Sequence, residues 1–503
     1  MSVTFGIYIG CSSCCIAVNK DGRFEVVANT SGDRVTPAVV AYHDAEVVTG
    51  PAAKQGIIRH AANTIQHVLR VAGTNEDEGL NMSSITCKPS WESGQPRYSV
   101  AKGEKSINVS ADDVLLNIFV LLKEIASSHT SEPELPLVIS IPAWSSEGTI
   151  ASVKAAAKMA SFTVLSVVTQ PVAAVLAYGL LDDNKSNMQV VVLHGGGTTV
   201  VGSLVEVAGG MLTLRESISS STVAGDTLTE LLVKHFAKEF YTKYKGDPLE
   251  NRRSKRKLYN AAENSKHVLS TMGTAQVYVE SLWEGVDFST TLSRARFDGL
   301  VSATLSDFLI PAKEAVQRSG YTLDQIHKVI LTGGSAKIPR LQQLVRDAFP
   351  AAEFLCSLPP DEVLSAGASV EAAMLLGRTS QSPVLSSMVP ALAVTVNCMI
   401  LNTDSNECVF SRGTPTHSRH SINLPLPSST SSECSVIIYE GERCSQNPEE
   451  ECILVKVDLT SLMPESKLLK LDFHLKSDGS LHVNLSEPVA KINRMFIIEG
   501  GRS

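Results

Sequence analysis

The sequence predicts an α/β unit of two similar lobes, followed by a small all-β domain. Short β-branched strands alternate with helical patterns from residue 3 to about residue 378, which is typical of α/β architecture. A strand, a glycine turn and a second strand occur around Gly10 and again around Gly195, and this weak internal repeat indicates two lobes that face each other. From residue 391 onward, strands and turns follow one another without a helical pattern. We therefore expect a two-lobed domain at 1–379, a Ser/Pro-containing linker at 380–390 and a β-sandwich domain at 391–503.

In the two-lobed part, the predicted strands are brief and flanked by Gly or Pro, and the predicted helices have apolar residues at helical spacing. The predicted strands are Val3–Ile9, Cys15–Val18, Val39–Tyr42, Leu137–Ile141, Val190–Leu193, Val200–Val207 and Val329–Leu331. The predicted helices are Asp112–Ser127, Glu147–Ala160, Ala173–Gly179, Asp226–Tyr244, Arg253–Leu269, Arg294–Arg318 and Pro339–Ala348.

The C-terminal part carries alternating apolar residues between recurrent turn signals such as Asn402–Asn406, Pro425–Ser432 and Ser477–Gly479. The predicted strands are Ala391–Val396, Ser421–Leu424, Ser435–Tyr439, Cys452–Leu459, Leu468–Leu475, Leu481–Leu485 and Arg494–Ile498. No helical segment is predicted after them.

Composition excludes several classes of protein. The 503 residues are 43% hydrophobic and 19% charged with a net charge of −8, which indicates an ordinary globular chain. A mildly acidic chain is a poor candidate for binding nucleic acid across its whole surface, so we expect no DNA partner, and a local basic patch is the alternative. No apolar run approaches the roughly 20 residues of a membrane span, and the N-terminus does not resemble a secretion signal. Ten cysteines are too few for a disulfide scaffold, so we expect a cytoplasmic protein that does not contact membranes.

Three glycine turns are candidate phosphate-binding loops. Backbone N–H groups in such turns reach a phosphate without a Cβ in the way, and a helix N-terminus adds a favourable dipole. The alternative is that the turns are only tight hairpins. The turns comprise Gly10, Cys11 and Ser12; Gly195, Gly196, Gly197 and Thr198; and Gly333, Gly334 and Ser335, which precede a predicted helix.

Several longer stretches together resemble the 70-kDa heat-shock chaperone family over essentially the whole chain. They are Asp33–Tyr42, Pro171–Gly179, Glu263–Ser270, Leu282–Phe288, Ser293–Phe297, Gly333–Pro339, Pro360–Glu362, Tyr439–Arg443 and Asp478–Val483. The resemblance implies an actin-like, ribonuclease H-like nucleotide-binding domain followed by a peptide-binding β-sandwich.

The resemblance also implies where ATP or ADP would bind. Besides the three turns, the matching positions are Gly225, Glu263, Lys266, His267, Ser270, Lys337 and Asp361. His267 and Lys337 each replace an arginine of the family. Glu263, Lys266 and Ser270 lie at i, i+3 and i+7 and hence share a helix face. The alternative is that these residues only support packing between the lobes.

The catalytic pattern of the family is broken in this chain. Family carboxylates that order Mg²⁺ and its waters correspond to Tyr8, Gln170, Leu193 and Val200, and the catalytic lysine corresponds to Leu69, beside Arg70. Mg²⁺ is held through carboxylates and ordered waters, and phosphoryl transfer needs a positioned water and cationic stabilisation. We therefore predict no catalytic residue, no metal site and no Mg²⁺, and hence a pseudo-ATPase. The alternative is an active ATP-dependent chaperone with rearranged catalytic residues.

Degenerate phosphate loops and the absence of a helical lid after the β domain resemble the short, ribosome-associated branch of the family. That resemblance implies a stable heterodimer with a J-domain co-chaperone, which assists nascent polypeptides at the ribosome in the cytosol. A nucleotide-exchange factor for ordinary relatives is a further alternative, although that branch usually has long insertions and a lid.

Two other motifs have a simpler interpretation. Cys11, Cys14 and Cys15 lack the second pair expected of a zinc site, so we interpret them as small residues in and beside a buried strand. The basic run 252–257 is interpreted as a solvated helix face, and contact with ribosomal RNA is the alternative.

Overall fold

The computed structural model describes residues 3–74, 87–92, 94–103, 105–130, 132, 134–182, 187–208, 210–377, 392, 394–400, 406–414, 416, 418–425, 435–441, 452–458, 468–476, 479–487 and 492–498. The chain divides into two compact units, Met1–Leu385 and Ser386–Ser503. The predicted linker, 380–390, lies outside the described residues. No helix of the described part is long and apolar enough to cross a membrane.

The first lobe and the chain that leads to the second lobe contain strands β1–β12 and helices α1–α4. The strands are β1 (Val3–Ile9), β2 (Ser13–Lys20), β3 (Arg23–Val26), β4 (Val35–Pro37), β5 (Val39–Tyr42), β6 (Val47–Thr49), β7 (Thr64–Gln66), β8 (Ser90–Glu92), β9 (Gln95–Lys102), β10 (Lys105–Ser110), β11 (Pro136–Ile141) and β12 (Thr163–Thr169). The helices are α1 (Pro51–Gly56), α2 (Ala111–Ser127), α3 (Glu147–Met159) and α4 (Gln170–Ala177), with 3₁₀ segments at Ala61–Asn63, Val68–Arg70 and Leu180–Asp182.

The second lobe and the returning chain contain strands β13–β19 and helices α5–α10. The strands are β13 (Met188–Gly195), β14 (Val200–Ala208), β15 (Met211–Ser220), β16 (Thr274–Trp283), β17 (Val286–Ser293), β18 (Lys328–Thr332) and β19 (Glu353–Leu355). The helices are α5 (Gly225–Tyr244), α6 (Arg252–Thr271), α7 (Arg294–Asp307), α8 (Ile310–Arg318), α9 (Pro339–Ala348) and α10 (Val363–Leu375), with 3₁₀ segments at Leu323–Gln325 and Gly334–Lys337.

The two lobes are built on sheets of the same topology. One sheet has the order β12-β11-β1-β2-β3, with β4 also paired to β2, and the other has the order β15-β14-β13-β18-β19. In each, the first strand is antiparallel to the hairpin strand that follows it and parallel to a later strand. The internal repeat around the first two glycine turns is thus a repeat of structure, and each turn joins the first two strands of its sheet.

Each lobe has its own apolar core, and a third apolar cluster joins the sheets. This third cluster combines residues of both sheets, such as Tyr8 and Val190, with residues of helices α4 and α10. Gly367 in α10 allows these helices to touch, because a Cβ there would lie 1.7 Å from the carbonyl oxygen of Ala173 in α4. The contact between α4 and α10 therefore tolerates no side chain at Gly367.

Some predicted elements differ from the structure. The single helix predicted at Arg294–Arg318 is wrong, since α7 ends at Asp307 and α8 begins at Ile310. Pro311 lies in the first turn of α8, where its missing N–H is tolerated but where a continuous helix would lose a hydrogen bond. Sequence analysis also missed strands β15–β17, whose partly exposed residues do not form an apolar run.

The second unit consists of antiparallel strands. The strands are β20 (Val396–Ile400), β21 (Asn406–Phe410), β22 (Arg419–Pro425), β23 (Ser435–Glu440), β24 (Ile453–Asp458), β25 (Leu468–Leu475), β26 (Leu481–Glu487) and β27 (Ile492–Ile498). They form two four-stranded sheets, with orders β21-β20-β23-β24 and β22-β25-β26-β27. The core is formed by inward-facing residues of both sheets, including Cys398, Phe410 and Phe473. The strand predicted at Ala391–Val396 is wrong in position, because strand β20 begins at Val396.

We expect Gly367→Ala to destabilise the first unit by about 1–3 kcal/mol, because the new methyl group must push α4 and α10 apart. Gly299→Ala is the matched control. Gly299 lies inside helix α7 with open space around it, so alanine should stabilise the unit by up to about 1 kcal/mol.

Trp91, Trp144 and Trp283 all belong to the first unit, so urea unfolding followed by tryptophan fluorescence measures that unit alone. Equal stability of the two variants would contradict the close approach of these helices.

Candidate functional site

A cleft of about 950 Å³ in the first unit is lined by all three glycine turns. Gly195 is the predicted site residue that does not line it; it ends β13, and a Cβ there would lie 3.0 Å from the Cβ of Ser335. The structure brings the other predicted residues together in this cleft. They are Gly10, Cys11, Ser12, Gly196, Gly197, Thr198, Gly225, Glu263, Lys266, His267, Ser270, Gly333, Gly334, Ser335, Lys337 and Asp361.

The first two glycine turns approach each other very closely. A Cβ on Gly197 would lie 2.1 Å from the hydroxyl oxygen of Ser12, so a side chain at this position would have to displace that hydroxyl. The second turn also anchors the N-terminus of α5, because Gly225 N–H donates to the Gly196 carbonyl at 2.9 Å and Asp226 N–H donates to the Gly197 carbonyl at 2.8 Å. The hydrogen bonds fix the start of α5 beside the second turn.

Both turns leave backbone donors without partners. Gly10 N–H bonds the Ser13 carbonyl and Gly196 N–H bonds the Thr199 carbonyl, which closes each turn. Within the described residues, the N–H groups of Cys11, Ser12, Gly197 and Thr198 donate to no protein acceptor. Unpaired N–H groups at facing turns form an anion-binding concavity.

Neutral side chains surround these donors. The Tyr8 hydroxyl lies beside Gly10, since a Cβ on Gly10 would be 2.2 Å from it, and Tyr8 is 7% exposed. Gln170 is 2% exposed, and its side-chain carbonyl has no hydrogen-bond donor within the described residues. His194 is also buried, and its Nδ1 bonds the Thr332 hydroxyl at 3.0 Å. All three line the cleft.

Burial keeps these groups uncharged. Desolvation lowers the pKa of His194 to about 4, so the imidazole is neutral at pH 7. Desolvation also raises the pKa of Tyr8 above its usual value, so the phenol keeps its proton. We define the phosphate end of the cleft as Tyr8, Gly10, Cys11, Ser12, Gln170, His194, Gly196, Gly197 and Thr198, and none of these side chains is a carboxylate.

Other positions that the resemblance assigns to catalysis lie in apolar cores. Leu69 is 1% exposed within the first-lobe core, while Leu193 and Val200 belong to the second-lobe core. None of the three lines the cleft. Arg70 Nη1 donates to the Thr198 carbonyl at 3.4 Å and so places one positive charge next to the second turn. At these three positions the side chains contribute to apolar packing.

The opposite side of the cleft is a network on helix α6. Lys266 Nζ, nearly buried, donates to the Gly225 carbonyl at 2.8 Å, to the Thr229 hydroxyl at 2.7 Å and to Glu263 at 3.1 Å. His267 Nε2 lies 3.1 Å from the second oxygen of Glu263. Burial opposes ionisation of Glu263, but the Lys266 ammonium, followed by His267 and Thr229, holds its pKa well below the usual range. The network ties α6 to the N-terminus of α5.

Two ion pairs lie at the third turn and at the rim. Lys337 Nζ is 2.6 Å from Asp361, and Arg34 is 3.4 Å from Glu362. Gly333 N–H donates to the Pro360 carbonyl at 2.7 Å, which joins the turn to the chain that carries Asp361. The carboxylates of these two pairs are thus already balanced by cations.

Contacts between the lobes were missed by sequence analysis. His67 Nδ1 lies 3.2 Å from the Cys11 carbonyl, and its Nε2 lies 3.9 Å from Asp226 of the second lobe. Arg256 Nη2 donates to Gln66 at 3.3 Å. Burial lowers the pKa of His67 and raises the pKa of Asp226, so burial disfavours the charged form of each partner. The partners are far apart in sequence and belong to no motif, so no sequence pattern indicated them.

The cysteines and the basic run have structural roles here. Cys14 Sγ donates to the Thr36 carbonyl and Cys15 Sγ to the Arg34 carbonyl, both from strand β2. Arg252, Arg253 and Lys255 are exposed, as a solvated face requires. Arg256 and Lys257 are not; Lys257 Nζ donates to the carbonyls of Glu280 and Ser281.

We expect the stability of the first unit to fall as the pH drops from about 6.5 to about 4, in part because of His194. Its pKa is 6.5 when unfolded and about 4 when folded, so the unfolded chain binds the proton first. The stabilisation is complete above pH 6.5, and its full loss is on the order of 3 kcal/mol. His194→Leu should flatten this pH dependence in urea unfolding followed by tryptophan fluorescence.

His60→Leu, at an exposed position, is the matched control and should keep the wild-type slope. Parallel slopes for wild type and His194→Leu would contradict the neutral, buried state of His194.

Comparison with known proteins places the chain in a family. The family model described as "Hsp70 protein" matches residues 4–501. The chain is 37% identical over 494 residues to "Heat shock 70 kDa protein 14" of Bos taurus, with 96% of each chain covered. It is 38% identical over 496 residues to the protein of that name from Mus musculus, again covering 96% of each chain. It is 35% identical over 512 residues to "Heat shock 70 kDa protein 14-B" of Xenopus laevis, covering 98% of this chain and 99% of that one. The glycine turns, the paired lobes and the β-sandwich unit are therefore those of an Hsp70 chaperone, and the chain belongs to the Hsp70 family.

Proposed function

We propose that this chain is a non-hydrolysing Hsp70 subunit that holds ATP or ADP as a structural ligand. The observation that carries the proposal is the phosphate end, where unpaired N–H groups remain but no carboxylate does. Binding of phosphate needs oriented donors, whereas hydrolysis also needs a polarised water and charge stabilisation at the transferring phosphoryl group. The site offers oriented donors, but none of the residues that define the phosphate end has a carboxylate that could orient a water.

The residues in the cleft are suited to a nucleotide. The two facing turns would hold the phosphates, the Glu263–Lys266–His267 network would meet the ribose and base, and the turn at Gly333 would lie beneath the base. This assignment rests on the family pattern carried onto these positions and on their assembly in one cleft. Bound nucleotide stabilises a protein by about 2.7 kcal/mol at a hundredfold excess over Kd. Since the ligand would contact both lobes, it would keep them in a fixed arrangement.

We further propose that the chain acts with a J-domain co-chaperone on nascent polypeptides at the ribosome, in the cytosol. Its support is the similarity to the short branch of the family and the 96% coverage of the "Heat shock 70 kDa protein 14" of Bos taurus. A subunit that does not hydrolyse ATP cannot drive a chaperone cycle by itself. It would act instead through a partner that recruits or stimulates an active chaperone. The β-sandwich unit is the proposed contact with the partner or the nascent chain.

The first experiment is single-turnover hydrolysis of radiolabelled ATP by the purified full-length chain. We expect a rate no higher than that of ATP in buffer. Lys266→Met is the control, because it removes three hydrogen bonds from the cleft, and a contaminating ATPase would be unaffected by it. Hydrolysis above background that is lost in Lys266→Met would establish an active ATPase instead.

The second experiment is affinity purification of the tagged full-length chain at physiological salt. We expect one J-domain protein in equal amount together with ribosomal proteins, and we expect high salt to release the ribosome but keep the J-domain protein. An ordinary Hsp70 of the same organism, tagged identically, is the control. Recovery of ordinary Hsp70 without a J-domain protein would favour a nucleotide-exchange factor and contradict the proposal.

A further inference from the structure

The charge at the phosphate end bears on the form of nucleotide that can bind, because nucleotide phosphates normally reach a protein together with Mg²⁺. Mg²⁺ requires oxygen ligands, keeps several of its waters and is usually held by one or two carboxylates along with the phosphates. The residues of the phosphate end do not fit this ion. Tyr8 stays protonated, Gln170 offers a neutral carbonyl, and His194 is a neutral nitrogen ligand committed to Thr332.

The carboxylates that line the cleft form ion pairs with nearby cations or lie at the exposed rim. Glu263 bonds Lys266 and His267, Asp361 bonds Lys337, and Glu362 bonds Arg34. Asp33 lies at the exposed rim. Asp226 is the described carboxylate nearest to the phosphate end, since its Oδ1 would lie 3.7 Å from a Cβ on Gly197, and it faces His67 rather than the cleft. A metal ion at the phosphate end would therefore find no carboxylate among the residues that line it.

The phosphate end instead carries groups that can bind an anion. Its donors are the unpaired N–H groups of the two turns and the hydroxyl of Tyr8, which lines the cleft and makes no hydrogen bond among the described residues. Arg70 holds a guanidinium against the second turn. Lys54 of α1 also lines the cleft and forms no ion pair with any described residue. These groups favour a bare polyphosphate, whose full negative charge is available to them.

We propose that this cleft binds the polyphosphate of ADP or ATP as the metal-free anion, with the hydroxyl of Tyr8 and the ammonium of Lys54 in place of Mg²⁺. The inference rests on the proposed nucleotide-holding function and adds the chemical form of the ligand. The Tyr8 hydroxyl donates a hydrogen bond to the phosphates, and Lys54, which lines the same cleft, supplies a positive charge.

The test is isothermal titration of the nucleotide-stripped full-length chain with ADP and with ATP, in excess EDTA and in millimolar Mg²⁺. We expect Kd values in EDTA equal to or lower than those in Mg²⁺. A tenfold or larger loss of affinity on removing Mg²⁺ overturns this inference alone. Absence of binding in both buffers overturns it together with the nucleotide-holding role.

Three variants sharpen the result. Tyr8→Phe removes only the hydroxyl, and Lys54→Ala removes the free charge, so each should weaken binding several-fold in EDTA; Lys154→Ala, an exposed lysine outside the cleft, should not. Gln170→Glu restores one carboxylate of nearly identical shape. It should weaken binding in EDTA by about tenfold, and Mg²⁺ should restore most of that loss.

Thermal unfolding of each variant without nucleotide checks that it folds. Unchanged Kd values in folded Tyr8→Phe and Lys54→Ala would overturn the assigned roles of these side chains.

Discussion

The close approach of the first two glycine turns is the constraint on which the rest of the cleft depends. Gly197 lies so near the Ser12 hydroxyl that a side chain there would have to displace this hydroxyl. The carbonyls of Gly196 and Gly197 accept hydrogen bonds from Gly225 and Asp226 and so fix the start of helix α5. Helix α5 is in turn bonded to Lys266 of helix α6, through the Gly225 carbonyl and Thr229. One short contact between the lobes thus connects the phosphate end with the opposite side of the cleft.

The replacements at the phosphate end have a common physical effect. A cluster of carboxylates in a cleft is costly without a cation, because like charges repel and burial disfavours ionisation. Tyr8 and Gln170 remove that cost, while Leu69, Leu193 and Val200 add apolar packing to the cores on both sides. We infer that such a cleft does not need a bound metal ion for its stability, which agrees with the structural role proposed for the ligand.

Glycine and buried apolar patterns made much of the fold and of the cleft predictable. The three turns were recognisable because a close backbone approach leaves glycine in the sequence, and their assembly in one cleft follows from the repeated sheet topology. The sequence did not predict contacts between residues that are far apart along the chain. His67 meets Cys11 and Asp226, and Arg256 meets Gln66, only because two lobes come together. The division of the helix predicted at Arg294–Arg318 was marked by Pro311, but local apolar spacing masked it.

The sequence by itself determined the α/β class, the repeated strand–turn–strand unit, the loss of acidic residues at family positions and the family to which the chain is similar. These are properties of residue type and spacing, and local backbone preferences express them directly. The tertiary structure decided which replacements face the cleft and which lie in the core, because side-chain direction depends on strand register and packing. It placed Tyr8 and Gln170 in the lining of the cleft and Leu193 and Val200 in the apolar core of the second lobe, and it left Lys54 as a cation without an ion pair among the described residues.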